Sequence, residues 1–97
     1  MIVDKRFENV NSWVSTAVGT SAASLTPTPA TNRTSVHLTN TSASQVVYVG
    51  YADTVTSEFY LKRLGPTEFF EIQAGPAVPL FAIASAAGAT LAVAEVS

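Results

Sequence analysis

Short runs of β-branched and aromatic residues, separated by clusters of turn formers about every 8–12 residues, most tightly limit how this chain can fold. Residues 46–51 (VVYVGY) have the composition of a pleated, half-buried surface. In residues 34–39 (TSVHLT), Val36 and Leu38 share one side of an extended chain while Ser35, His37 and Thr39 share the other. The sequence NTSAS between them is rich in side chains that hydrogen-bond their own backbone, so residues 35–51 are expected to form a hairpin with a loop of about five residues. Further runs follow at 58–62 (EFYLK) and 68–73 (EFFEIQ), on either side of Gly65-Pro66, with Ala74-Gly75-Pro76 closing the second. Residues 80–85 and 90–96 alternate again, and the Ala86-Ala87-Gly88 link suits an antiparallel hairpin. Both faces of the last run are nearly apolar, which predicts a strand covered on both sides.

The first thirty residues carry a mixed signal. Phe7, Val10, Val14 and Val18 fall at helical spacing, yet residues 13–18 also alternate as a strand and are built from poor helix formers. The reading adopted is an extended arm leading into a strand at 13–18. Residues 26–31 (TPTPAT) then act as a stiff connector, since two prolines fix the backbone without a regular pattern. The expected architecture is therefore all-β: a small antiparallel β-sandwich, jelly-roll-like topology included, with an extended N-terminal arm. Residues 1–30 would form the arm and first strand, and residues 31–97 the sandwich core.

Composition removes several function classes. No cysteine is present, which excludes disulfides, thiolate metal sites and cysteine nucleophiles, and a single histidine leaves most acid–base chemistry without its usual reagent. Five basic against seven acidic residues, with no basic block, argue against nucleic acid as a partner. The opening MIVDKRFENV has charges where a secretory signal needs an apolar run, and the apolar stretch at 74–84 is interrupted by Gly75, Pro76 and Pro79 and is too short to cross a bilayer. No membrane contact is expected. Only 12% of residues are charged, and an Ala/Thr/Ser-rich surface of low charge suits lasting contact with neighbours, so a homo-oligomer or assembly subunit is expected over a lone monomer.

Each candidate chemical site has a plainer reading beside it. His37 lies on an outward position with no local nucleophile, so a surface or interface histidine is favoured. Asp53, Thr54, Thr56 and Glu58 place oxygen groups in one loop, but a calcium loop needs more carboxylates and a sharp glycine turn, leaving a polar turn. Glu68 and Glu71 point to opposite faces of a strand and make no acid–base pair. The sequons at Asn32 and Asn40 read as turn residues, and Lys62-Arg63 reads as a salt-bridge partner for a neighbour's acid. Neither a metal nor another cofactor is called for.

The aromatic residues are more informative. Trp13, Tyr48, Tyr51, Phe59, Tyr60, Phe69, Phe70 and Phe81 either fill the sandwich or anchor contacts. Adjacent rings on a strand face opposite ways, so Phe59-Tyr60 and Phe69-Phe70 should each leave one ring outside a single core. Such rings are natural interface anchors. A carbohydrate platform is the competing use.

Residues 32–95 resemble a pattern common in small virion proteins of tailed phages. The residues that carry it are Asn32-Arg33, Leu38-Thr39-Asn40, Ser42-Ala43-Ser44, Val47-Tyr48-Val49-Gly50, Val55-Thr56, the turn Leu64-Gly65-Pro66-Thr67-Glu68, and the closing FAIA and GATLAVAE. Pro66 stands where the pattern carries a polar residue or glycine. The resemblance implies a β-sandwich structural subunit on the head surface, at a vertex or at the tail, and brings no catalytic residues. The function expected is capsid decoration or cement: Trp13, Phe59, Tyr60, Phe69 and Phe70, with Lys62 and Arg63 beside them, would fill gaps between subunits of the major capsid protein or other virion subunits, while residues 1–30 lace across a seam. The alternative is a carbohydrate-binding module of a phage fibre or spike.

Overall fold

The computed structural model describes residues 14–26, 29 and 31–96. These form eight strands: β1 (Val14–Val18), β2 (Ala23–Ser24), β3 (Ser35–Asn40), β4 (Val47–Gly50), β5 (Lys62–Leu64), β6 (Phe69–Ile72), β7 (Phe81–Ala84) and β8 (Ala89–Val96), with no helix among the described residues. A first sheet has the order β1-β8-β3-β6 and a second the order β2-β7-β4-β5, with every neighbouring pair antiparallel. Two four-stranded sheets in this order define a jelly roll. The expected all-β sandwich is thus the fold.

Alternation builds the core. Val36 and Leu38 of β3 are fully buried and oppose Ile72 and Phe70 of β6, while Leu38 also opposes Val93 of β8. From the second sheet, Val47 and Val49 oppose Leu64, Ala82 and Ala84, closing the same cluster. Val18 and Leu25 belong to this cluster too, so the core draws on residues before position 30 and does not begin at 31. The described part of the expected arm is built into both sheets: β1 pairs with β8 over five residues, and β2 pairs with β7 over two. The residues preceding Val14 lie outside the described residues.

The pairing of strands differs from the sequence-based expectation. Residues 35–51 are no hairpin, because β3 belongs to the first sheet and β4 to the second. The runs around Gly65-Pro66 and around Gly88 likewise split between sheets, as β5/β6 and β7/β8. Each of these turn-rich links is a corner that carries the chain across the sandwich. Among the described strands, the one consecutive pair joined within a sheet is β4–β5, through the long loop 51–61.

Two buried polar residues hold the corners. Asn40 is wholly buried at one end, where its amide donates to the carbonyls of Gln45 and Leu64 (both 2.9 Å) and accepts from the Ser42 N–H (2.9 Å). Its backbone binds Glu68 and Thr67, so one residue ties the β3–β4 and β5–β6 links together. At the opposite end Arg33, 2% exposed, donates to the carbonyls of Ala74, Gly75 and Val78, to Thr26 Oγ1 and to Glu95 Oε2. These bonds match the five N–H donors of a guanidinium, which is the condition for burying that charge at tolerable cost.

Candidate interaction site

Residues 58–61, expected in a strand, lie in the β4–β5 loop. Thr56 ends the extended run there: its Oγ1 accepts from the N–H groups of Glu58 (3.2 Å) and Phe59 (3.0 Å), and its backbone exchanges hydrogen bonds with Phe59. The ladder resumes where Leu61 N–H reaches the Val49 carbonyl, one residue before β5. Thr56, one of the oxygen groups considered as a cation ligand, is therefore occupied by its own loop, and no group of three or more His, Cys, Asp or Glu side chains placed to hold a metal ion occurs among the described residues.

The loop folds back with Val55 as its anchor. Val55 is buried, and a Cβ on Gly50 would stand 3.0 Å from its Cγ2, so the glycine makes room for that contact. Tyr60 packs on Tyr48 of the second sheet, ring centroids 5.0 Å apart. What remains outside is apolar: Phe59 is 68% exposed, and Tyr51, Tyr60 and Leu61 are each more than two-fifths exposed. Together with Gly50, Ala52, Thr54 and Val55 they line an open pocket of about 410 Å³. No amide or carboxylate side chain contributes to that lining.

The remaining residues singled out in the sequence are dispersed. Trp13 lies outside the described residues. Phe69, 54% exposed, sits on the outer face of β6 with its ring edge-on to His37 at 5.6 Å, and Glu71 lies 3.6 Å from His37 beside it. Phe70 turns inward against the core, so this pair divides as an alternating strand requires, whereas Phe59 and Tyr60 are both exposed because they are not on a strand. Lys62 places its ammonium 5.7 Å from the Phe70 ring, a cation–π contact, and Arg63 is exposed opposite Tyr48 on the outer face of the second sheet. The structure thus brings Phe59 and Tyr60 together and leaves Phe69 on the other sheet.

Sequence reasoning did not single out Leu61, or Tyr51 beyond its place among the aromatic residues. Both flank the turn set by Thr56, and the signal that places them in a loop is the oxygen-rich run Asp53, Thr54, Thr56 and Ser57, which competes with strand hydrogen bonding. The fold and exposed loop together define an all-β jelly roll with an exposed apolar, aromatic patch. No known protein family matches the chain, and no curated protein shows significant similarity to it.

Proposed function

We propose that this protein is a virion structural subunit of the decoration or cement type, which attaches to coat subunits by burying the 51–61 loop. The observation that carries the reading is the exposed group Tyr51, Phe59, Tyr60 and Leu61 around an apolar pocket. A monomer in water has no use for such a group, whereas aromatic anchors seated in a partner's pocket supply most of the energy of a specific contact. The jelly roll is an architecture shared by viral shell proteins and lectins. Low surface charge and the resemblance to small phage virion proteins favour the first.

The test is saturable binding to purified shells with a rise in the shell's melting temperature. Phe59→Ser should weaken that binding by about 2 kcal/mol, some thirty-fold, as expected for an interface anchor. Absence of both binding and shell stabilisation overturns the reading. A carbohydrate-binding module is the second reading, because three aromatic rings share one loop. It requires polar groups beside the rings to bind sugar hydroxyls, and Thr54 and the tyrosine hydroxyls are the side-chain polar groups at hand. Saturable quenching of tyrosine emission by host polysaccharide, without shell binding, would favour it.

A further inference from the structure

The four edges of the two sheets are not equally protected. β5 carries Lys62 and Arg63, β6 carries Glu71 and follows Glu68, and β2 is two residues long. Charge and shortness are the usual devices that stop an edge strand from pairing with another chain. β1 has neither. It runs for five residues, Val-Ser-Thr-Ala-Val, without a charge or a proline, and among the described residues its one neighbour is β8. Its side chains are open as well: Val14 is 59% exposed, and Ser15 and Ala17 are exposed on the outer face.

The geometry points to β1 as a self-pairing edge: two copies of this chain join β1 to β1 in antiparallel register about a two-fold axis at Thr16. The occupant is a second copy because the strand is its own complement. In that register Val14 faces Val18 of the second copy, Ser15 faces Ala17, and Thr16 faces itself. Val–Val and Thr–Thr cross-strand pairs are favourable, and the small Ser15 and Ala17 let the two outer faces run flush. Alternate N–H and C=O groups of β1 point away from β8, as in any edge strand, and pairing satisfies them. The product is one continuous eight-stranded sheet, and the closed two-fold contact uses up both edges. A five-residue strand buries less than the roughly 800 Å² per partner of a standard interface, so the dimer is reversible. Copies held side by side on a surface would pair more strongly through effective concentration.

Sedimentation equilibrium of the full chain at low salt should show a monomer–dimer equilibrium with a dissociation constant below about 1 mM. Ser15→Lys with Ala17→Lys sets like charges opposite each other twice across the axis and should raise that constant about tenfold or more. Ser15→Lys with Ala17→Glu sets opposite charges there and should restore pairing. In the unaltered chain, amide exchange within β1 should slow as concentration rises, with no such change in β5 or β6. This last measurement needs no variant and holds even if a substituted chain fails to fold. A monomer at about 1 mM, a dimer indifferent to the paired lysines, or concentration-independent exchange in β1 each overturns the proposal. No shell is used, so that outcome leaves the docking role of the 51–61 loop standing.

Discussion

Arg33 shows how one side chain commits a small domain to its fold. A guanidinium without exposed surface is tolerable because Glu95 lies 3.1 Å away and the carbonyls of residues 74, 75 and 78 take up its remaining donors with Thr26. Removing it strips the donors from three carbonyls and takes from the part-buried Glu95 carboxylate its contact with the guanidinium. Arg33→Ala should therefore cost about 3–5 kcal/mol in denaturant unfolding. Arg33→Met combined with Glu95→Leu should cost less than Arg33→Ala, because the two desolvated charges leave together while the carbonyls still lose their donors. Thr67 presents the opposite case. Its φ of 67° follows Pro66 in a turn closed by the bond from Glu68 N–H to the Gly65 carbonyl, a geometry that needs a left-handed third residue and normally takes glycine. A β-branched residue there is strained, and the turn persists because Thr67 N–H binds the Asn40 carbonyl and the Glu68 carboxylate accepts from Gly65 N–H at 2.7 Å. Thr67→Gly should stabilise the protein by about 1 kcal/mol, seen as a higher thermal midpoint. The glycine's extra unfolded-state freedom offsets part of the relief.

At the scale of elements, the 51–61 loop keeps its shape through Gly50, Val55 and Thr56. Gly50→Ala places a methyl against Val55 at about 3 Å, which should cost about 1–2 kcal/mol and speed amide exchange at Val55, Phe59 and Leu61, whose N–H groups close the loop. Strands were legible where alternation met β-branched residues: β3, β4, β7 and β8 fall inside the expected runs to within a residue. Their partners were not legible. Asn40 and Ser42 have the same turn chemistry in a hairpin loop as at a corner between sheets, and the difference lies in Asn40 reaching Leu64, which is remote in sequence. β2 escaped because two residues beside a proline-rich stretch carry no periodicity. Half of the candidate site was visible as rings in excess of one core, but placing Phe59 and Tyr60 on a strand assigned them opposite faces. Thr56, by capping its own turn, cancels the alternation on which that assignment rests.

For the whole molecule, both sheets depend on the segment before residue 27. β1 and β2 form the edges on the same side of the sandwich, and Val18 and Leu25 carry their contribution inward. A chain of this size buries about 60–70% of the surface its unfolded form exposes, which leaves little stability in reserve. Losing two large buried side chains costs about 2–5 kcal/mol each if a cavity remains, and here the strands that bear them leave as well, uncovering Leu91, Val93 and Ala82 on β8 and β7. Such a loss is comparable to the entire stability of a small domain. A chain beginning at residue 27 should therefore fail to show cooperative thermal unfolding and should aggregate through the newly bared β8 and β7 edges. If the truncated chain instead melted cooperatively and kept its β-sheet circular dichroism, the core would have to close without Val18 and Leu25. The segment would then be separable from the sandwich, and the self-pairing edge would belong to a removable arm instead of to the body of the fold.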